Sequence, residues 1–545
     1  MHCFDMYFQL EISLKCFAKL NVLQLARNVS KAPLLYLSKL KAMMRWIQII
    51  CLWGVPSLLF GQPSTKIFDN YIAEQQYEIL KDFKSLLSIP NVAFDLPNIQ
   101  KNADWIVSEL TERGVETKLL RMVGTPPIVY GYLPAKDAKR TLAFYVHYDG
   151  QPVDKSSWTN DPWEPVYYDK AISEGGESQP WPIEGVKIEL EHRIYARSAG
   201  DDKAPIIGIL TALDAIRSNK LKTTSNLVFF FEGQEEAGSA QLRRYLEDHE
   251  ELVDQIDLWM FCDGPVHQSR TPQLVFGVRG VTGMEVTTYG SNRPLHSGHY
   301  GNWAPVPGQQ LAKLVGSMKD DNGNVIIDGF YDDVAPLTSS EIEALANMPD
   351  IDVALKKELG LADTEGNESL YERLLYPSLT LKGFSTGNVG QLARNVIPAE
   401  ATASLGIRLV KGCDPVKMQD LVEDHIAKQG YYIVREDPDQ ETRMKYSKIA
   451  KVTRGSGYPA SRTSMSDPFA QQVIKRTKDV VGEELILLPS LGGSLPLYLF
   501  TDVLQKPAII VPVANHDNNQ HAADENIRVA NLWYAIQLMG ALMTM

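Results

Sequence analysis

Three glutamates follow an apolar, strand-like run in the stretch NLVFFFEGQEEAGS, residues 226–239. Glu232, Glu235 and Glu236 stand close together, and carboxylates crowded at a strand end repel one another and resist loss of water. Solvent, cations or a shared proton must offset that repulsion. Taken alone, the stretch is typical of a solvated surface turn. The alternative is a metal site in which one glutamate is a ligand and its neighbour a base.

Further groups that can bind a metal lie at the ends of other apolar runs or just before helices. They are His147 and Asp149 in VHYDGQP, Asp201 and Asp202 in ARSAGDDKAP, Asp263 in FCDGP, and His521 in NHDNNQHAADENI. A single histidine of this kind is more often a core residue, and an aspartate before a helix is more often an N-cap. Ligand sites of open α/β sheets lie at the carboxyl ends of the strands. Agreement among several strand ends therefore favours a metal site.

The residue types narrow the choice of metal. Imidazoles and carboxylates without a thiolate suit zinc, manganese or cobalt and argue against an iron–sulfur cluster. Because side chains alternate along a strand, we expect Cys262 to point away from the face that carries Asp263. The same alternation places His147 and Asp149 on one side, where Asp149 can accept a hydrogen bond from the imidazole and orient it.

The elements that must position these groups alternate between helix and strand. Apolar residues recur at helical spacing over 71–89, 98–113 and 204–219, and short apolar runs that suit buried strands cover 141–148, 226–231, 257–262 and 507–513. This alternation predicts an α/β fold whose sheet is at least partly parallel.

The pattern changes after Gly277, where alternating strands and a polar region replace the buried runs, and it returns near Ser466. We therefore predict a catalytic domain formed by residues 62–276 and 463–545, with a mostly parallel central sheet flanked by helices. Residues 277–462 are predicted to form an inserted α+β domain.

Composition excludes several classes of protein. The chain has 545 residues, 44% hydrophobic content and a formal net charge of -13, so we expect two or more domains. No run of lysine or arginine interrupts the acidic balance, which argues against a nucleic-acid surface and favours small solutes or peptides as partners. Beyond residue 61 only Cys262 and Cys413 remain, too few for a disulfide framework.

The segment MMRWIQIICLWGVPSLLFGQPS resembles a secretory signal peptide. Arg45 precedes an apolar stretch over 46–60 that ends at the small residue Gly61, so residues 43–61 are predicted to be the signal and residues 1–42 to lie upstream of the true start. A membrane anchor is the alternative, but Gln48 and Pro56 interrupt an already short stretch. We expect an exported protein, periplasmic or secreted, with no stable membrane span in the mature chain.

From about residue 70 onward the motifs resemble a known family. HYDGQPV, ARSAGDDKAP, EGQEEAGS, CDGP, LHSGHYGN, NVIP, IRLV, GGSLP and the late His521 are similar, in order and spacing, to the dinuclear metallopeptidases that include carnosine dipeptidases, glutamate carboxypeptidase, acetylornithine deacetylase and succinyl-diaminopimelate desuccinylase. The dipeptidase branch fits best.

The resemblance implies a role for each ligand. Asp201 would bridge two divalent ions per subunit, zinc being favoured over manganese and cobalt. One ion would add His147 and Asp263, and the other would add Glu236 and His521. Glu235 would be the general base, and the peptide bond between Asp201 and Asp202 would be cis.

The resemblance also implies substrate contacts, each with a simpler alternative. Arg408 in IRLV would hold a substrate carboxylate, and otherwise it is a surface arginine paired with an acid. Gly492, Gly493 and Ser494 would approach the same carboxylate, and otherwise they form a plain turn. Asn395 and His296 would be brought to the substrate by the inserted dimerisation and lid domain, with His296 crossing a two-fold interface; otherwise both are loop residues.

Together these observations predict an exopeptidase that hydrolyses dipeptides or C-terminal residues with a metal-activated water, and that functions as a homodimer. A deacylase of the same fold acting on N-acyl amino acids is the main alternative. A non-catalytic binding module is disfavoured because Glu235 is present.

Overall fold

The apolar runs of the sequence form one central sheet. The computed structural model describes residues 65–545, and the predicted signal segment 43–61 and residues 1–42 lie outside this described part. All four predicted strands and all three predicted helices are present, with somewhat different ends. The predicted α/β class is confirmed.

The strands of residues 65–545, in chain order, are β1 Glu116–Leu120, β2 Ile128–Leu133, β3 Thr141–His147, β4 Val166–Tyr168, β5 Ser178–Gln179, β6 Arg193–Tyr195, β7 Asn226–Glu232, β8 Leu258–Phe261, β9 Gln273–Val275, β10 Gly277–Val278, β11 Gly280–Tyr289, β12 Leu295–His296, β13 Ser378–Ser385, β14 Val396–Ile397, β15 Glu400–Leu409, β16 Tyr432–Val434, β17 Ile449–Arg454, β18 Ser461–Arg462, β19 Ile486–Leu488, β20 Ala508–Ile510 and β21 Asn526–Arg528.

The α-helices of the same part are α1 Lys66–Leu87, α2 Leu96–Glu112, α3 Lys203–Ser218, α4 Leu242–Asp248, α5 Glu250–Val253, α6 Ser297–Tyr300, α7 Pro307–Gly316, α8 Ser339–Ala346, α9 Asp352–Leu359, α10 Leu370–Arg373, α11 Pro415–Lys428, α12 Gln440–Lys445, α13 Pro468–Val481 and α14 Val529–Met543.

The central sheet has eight strands in the order β1-β2-β7-β3-β8-β20-β9-β19. Its middle is parallel, because β3 pairs in parallel with β7 and β8, and β20 pairs in parallel with β8. The pairs β1-β2, β2-β7 and β9-β20 are antiparallel. The sheet is therefore mixed, and the four parallel strands β7, β3, β8 and β20 end at one common edge.

Both faces of the central sheet are covered. On β7, Phe229 and Phe231 belong to the core on one face, while Val228 and Phe230 belong to the core on the other. The first core also contains apolar residues of α1, α3, α13 and α14. Burial on both faces explains why the strand sequences are continuously apolar instead of alternating.

A second sheet of five strands has the order β13-β15-β11-β17-β16 and a core of its own. Its strands fall between Gly280 and Arg454, inside the predicted insertion. The separate core supports the predicted division of the chain, and the boundaries at residues 276/277 and 462/463 stay a prediction.

None of the helices within residues 65–545 combines the length and the apolar composition that a bilayer crossing needs.

Close packing of α14 against α1 predicts a sensitive position at Gly540. A Cβ added there would overlap with the ring of Phe68, which is fully buried. Gly540→Ala should therefore lower the free energy of unfolding by roughly 1–3 kcal/mol through overpacking. Gly316→Ala is the matched control, since this helical glycine has open space around its Cβ position. Urea denaturation checks the prediction, and equal midpoints for the two variants would contradict it.

Candidate metal centre

The strand register brings the predicted ligands to one edge of the central sheet. His147, the last residue of β3, lies opposite Glu232, the last residue of β7. On the other side of β3, Tyr145 lies opposite Phe261, so Asp263 follows β8 at the level of His147. Because these strands are parallel, the groups after their carboxyl ends converge.

The first cluster of ligand atoms contains His147, Asp201 and Asp263. The Nε2 of His147 lies 2.8 Å from Oδ1 of Asp201 and 4.0 Å from Oδ2 of Asp263. All three side chains are buried. Two carboxylates and an imidazole around one small space are a donor set that holds a divalent cation.

The second cluster contains Asp201, Glu236 and His521. The Nε2 of His521 lies 3.3 Å from Oδ2 of Asp201 and 3.2 Å from Oε2 of Glu236. In each cluster the ligand atoms lie within 4.8 Å of one another. Asp201 belongs to both clusters and turns a different oxygen to each imidazole.

The loop that carries Asp201 is held by a buried acid, Glu525. Its carboxylate accepts hydrogen bonds from the backbone N–H groups of Ser198, Gly200 and Asp201 at 2.9–3.1 Å. The Nη1 of Arg197 also donates to it at 2.7 Å. The predicted cis peptide bond between Asp201 and Asp202 is confirmed.

Asp149 has a different contact from the one expected. Its carboxylate accepts hydrogen bonds from the backbone N–H groups of Glu235 and Glu236, each at 3.0 Å. The Nδ1 of His147 lies 3.1 Å from the backbone oxygen of Asp149 and 3.6 Å from its carboxylate. Asp149 therefore orients the two glutamates through their amides and reaches the imidazole chiefly through its own carbonyl group.

The three glutamates of the opening stretch separate into different environments. Glu232 is buried and accepts a hydrogen bond from the Tyr145 hydroxyl at 2.5 Å. Glu236 accepts one from Nε2 of Gln151 at 2.8 Å and faces His521. Glu235 lines the cavity beside the clusters. The three carboxylates thus point to different surroundings, which reduces the repulsion among them.

Burial and neighbouring charges shift the pKa values of Glu235, Asp263, His147 and His521. Burial raises the pKa of Glu235 well above its usual range, and burial together with Asp201 raises the pKa of Asp263 to about 7. Burial opposes charge on His147, but hydrogen bonds to Asp149 and Asp201 raise its pKa well above its usual value. Hydrogen bonds to Asp201 and Glu236 raise the pKa of His521 to about 10. Burial therefore favours the neutral form of Glu235 and Asp263, whereas the carboxylates in contact with the two imidazoles favour the charged form of those imidazoles.

A cavity of about 410 Å³ opens beside the clusters. Of the predicted site residues, it is lined by Asp201, Glu235, Glu236, Asp263, Gly493, Ser494 and His521. Gly492, also predicted, is not one of the residues that line the cavity. Arg408 is exposed and its Nη1 donates a hydrogen bond to the Ser494 hydroxyl at 2.5 Å, so it is joined to the cavity wall.

His296 and Asn395 are near each other and do not line this cavity. His296 pairs with Val396 in the small sheet of β12 and β14, and Ser297 donates its backbone N–H to the carbonyl of Asn395 at 3.0 Å. Both residues are exposed. Within residues 65–545 of one chain, the structure does not bring them to the ligand clusters.

Four residues at the site were not predicted from the sequence. Gln151 contacts Glu236, Gln520 donates to Asp201 at 3.3 Å, Tyr458 lines the cavity, and Glu525 holds the Asp201 loop. Gln151 and Gln520 each lie within four residues of a predicted ligand in sequence, and this closeness could have identified them as site residues. Tyr458 comes from the segment between β17 and β18 and carries no such signal.

Cys262 points away from the ligands, as the alternation along β8 predicts. It is fully buried, and its Sγ lies 3.7 Å from Sδ of Met539 in α14. Both cysteines of the described part, Cys262 and Cys413, are free. Neither contributes to the candidate centre.

Comparison with known proteins gives consistent matches. The sequence profile described as Peptidase family M20/M25/M40 matches residues 143–545. The Cys-Gly metallodipeptidase of Candida albicans is 27% identical over 506 residues, which covers 88% of this chain and 96% of the relative. Human Beta-Ala-His dipeptidase is 26% identical over 419 residues, covering 76% and 75%. The resemblance read from the motifs, including the dipeptidase branch, is confirmed.

Solved structures agree on the fold. An M20 family metallo-carboxypeptidase from Sulfolobus solfataricus superposes with a TM-score of 0.67 at 28% sequence identity. The match covers 86% of this chain and 98% of that protein. The architecture of the central and second sheets is therefore the one found in that enzyme.

The expectation of export is wrong on these comparisons. The relatives that match over most of their length are metallodipeptidases of the yeast Cys-Gly type and Beta-Ala-His dipeptidases, and this similarity does not support an exported enzyme. An apolar stretch such as the one that suggested a signal peptide cannot be identified as a signal from its residue types alone. This segment lies outside the described residues.

The profile match spans well over half of the chain and contains all of the ligand groups described above. The expectation of a hydrolase acting on peptide bonds is therefore confirmed, and the chain belongs to Peptidase family M20/M25/M40.

Proposed function

We propose that this protein is a dinuclear metal-dependent exopeptidase that hydrolyses dipeptides. The observation that carries the proposal is the position of Asp201, whose two carboxylate oxygens face two separate ligand clusters. A carboxylate shared in this way can bridge two cations. The relatives named as Cys-Gly and Beta-Ala-His dipeptidases support the substrate class.

The donor set fits two divalent ions. His147 and Asp263 would complete one position and Glu236 and His521 the other, with Asp201 common to both. Oxygen and imidazole donors without thiolate suit zinc best among the metals considered, with manganese and cobalt as alternatives. Burial, together with neighbouring carboxylates, raises the pKa values of Asp263 and Glu235, and divalent cations would offset the negative charge collected there.

When bound, such ions polarise the scissile carbonyl group and lower the pKa of a water molecule. Glu235 is placed to accept the proton of the attacking water and to return it to the leaving amine nitrogen. Its backbone N–H is fixed by Asp149, so its position does not depend on a flexible loop alone.

Recognition of a terminal carboxylate would make the enzyme an exopeptidase. Arg408 stands at the cavity wall through its hydrogen bond to Ser494, and its planar guanidinium suits a bidentate carboxylate contact. Gly493 is exposed at the same wall and lets a substrate approach the backbone closely. Gly492 has little room for a side chain, since a Cβ there would lie 3.0 Å from the Leu374 side chain.

Substrate class is tested by comparing dipeptides with N-acyl amino acids. We expect the metal-loaded enzyme to hydrolyse Cys-Gly or β-Ala-His faster, by about tenfold or more in kcat/KM, than N-acetylated analogues of the same C-terminal residue. Equal or reversed rates would favour the deacylase alternative. A protein that bound these compounds without turnover would instead be the binding module.

The roles of the adjacent glutamates are tested by two matched variants. Glu235→Gln should keep both metals while kcat falls by roughly two to four orders of magnitude, because only the base is removed. Glu236→Gln should lose metal from one position, because a carboxylate ligand is replaced by a weaker amide. Metal analysis of each purified variant separates the cases, and metal loss confined to Glu235→Gln would exchange the two assignments.

We propose a homodimer in which His296 completes the partner's site. Support comes from the second sheet, where β13 is an edge strand with one side free, and from exposed apolar side chains within residues 295–303 and 378–397. These side chains are Trp303, Leu381, Phe384, Val389, Leu392 and Val396. An open strand edge and an exposed apolar surface are features of an interaction face. His296 and Asn395, which are remote from their own chain's cavity, lie at this part of the molecule.

Subunit mixing tests the exchange of His296. Glu235→Gln and His296→Ala chains should each be inactive, and mixing them should restore activity, because a heterodimer then contains one site with both residues intact. Equimolar exchange should restore roughly a quarter of the wild-type activity, since half of the dimers are mixed and each has one complete site. Confirmed heterodimers without activity would place His296 outside catalysis or in its own chain's site.

A further inference from the structure

A second cavity lies within the part of the chain that carries the five-stranded sheet. It measures about 330 Å³ and shares no lining residue with the cavity at the metal centre. Its walls come mainly from helix α9, the segment leading to α10, and the start of β13. Most of the wall is apolar, formed by Leu355, Leu359, Leu361, Leu370, Leu374 and Pro377. A space of this size accommodates a small molecule and not a peptide chain.

One wall of the cavity contains a buried cation, Arg279. Only 6% of this residue is exposed, and it stands between β10 and β11. Its Nη2 donates to the carbonyl of Tyr376 at 2.7 Å and to the Ser378 hydroxyl at 3.1 Å. The Nε is buried without a hydrogen-bond partner. The guanidinium forms no salt bridge with any carboxylate of residues 65–545.

A buried cation without an anion is costly in a protein. Burial, and then the nearby Arg408, lowers the pKa of Arg279 to about 10, so the group still carries its charge at neutral pH. Its polar contacts are neutral oxygens, which cannot balance that charge. An anion entering the cavity would satisfy the guanidinium.

Of the three acidic residues that line the cavity, Glu365 and Glu368 are paired with cations, and Asp352 has no salt bridge within the described residues. Glu365 lies 2.6 Å from the amine of Lys319, and Glu368 lies 3.4 Å from Arg373. Asp352 accepts the backbone N–H of Leu370. By contrast, Lys356 lines the cavity and has no salt bridge within the described residues. The positive groups left for a ligand are therefore Arg279 and Lys356.

We propose that this cavity binds a small apolar carboxylate. The carboxylate contacts Arg279, with Lys356 adding positive charge, and the hydrocarbon part lies among the leucines. This site is separate from the metal centre and does not depend on the proposed peptidase reaction. The positive charge and the apolar walls select the ligand. Medium-chain and aromatic carboxylates both have the negative charge and the hydrocarbon part that these features require.

Calorimetric titration of the full-length, metal-loaded protein with octanoate tests the proposal, with neutral octanamide as the matched ligand. We expect saturable binding of octanoate and affinity lower by roughly tenfold or more for octanamide, because a charge-assisted pair is lost. Arg279→Met should reduce octanoate affinity by a similar factor and leave octanamide unchanged. Leu361→Trp, which fills the cavity from its rim, should weaken both.

Two control variants separate this site from others. Lys357→Ala, on the same helix but outside the cavity lining, should bind octanoate as the wild type does. Leu495→Trp, which narrows the cavity at the metal centre and does not line the second cavity, should also retain binding, whereas loss of binding there would assign octanoate to the catalytic cleft and overturn the proposal. If Arg279→Met does not fold, the proposal is tested with Leu361→Trp and Lys356→Ala instead. Octanoate affinity equal to that of the wild type in both variants would contradict the proposal. If Leu361→Trp dissociated the subunits, a second copy of the chain would occupy this surface instead of a small carboxylate. That result would also overturn the proposal.

Discussion

Repulsion between carboxylates at one edge of the central sheet is the constraint on which the rest of the structure depends. Asp201, Glu235, Glu236 and Asp263 converge there, and none of them can remain charged in a partly buried space without compensation. The structure compensates in part by placing an imidazole against each oxygen of Asp201. Two divalent cations would fit this arrangement, because they would offset the carboxylate charge that the two imidazoles offset only in part.

Backbone amides provide the second means of holding acids at this edge. Glu525 accepts three amide hydrogen bonds from the Asp201 loop, and Asp149 accepts the amides of Glu235 and Glu236. Two acids outside the proposed ligand set thereby determine where the proposed ligands Asp201 and Glu236 and the proposed base Glu235 are placed. The adjacent glutamates diverge because their amides are tied to one carboxylate while their side chains find different partners. A substitution at Asp149 or Glu525 would displace the centre without removing a ligand.

Much of this fold and site could be predicted from the sequence, because the signals are local. Continuous apolar runs identify buried strands, and the polar groups that follow them identify the edge where a site forms. The contact of Asp149 with the amides could not be predicted, since it depends on how the turn after β7 folds back. His296 lies outside the cavity of its own chain, and its predicted contact with a substrate depends on the proposed homodimer. The mistaken expectation of export came from reading composition alone in a segment outside the described residues.

The order of strands in the central sheet also affects how the chain is made. Strand β20 lies between β8 and β9, yet it follows both in sequence after more than two hundred residues. During synthesis, β8 and β9 must therefore wait with their facing edges unpaired while the whole five-stranded sheet is produced. Exposed strand edges are where nascent chains aggregate, so this topology calls for protection on the ribosome until β20 emerges. His521, a proposed metal ligand, follows β20 in sequence, so the second ligand cluster is completed only after β20 has been made.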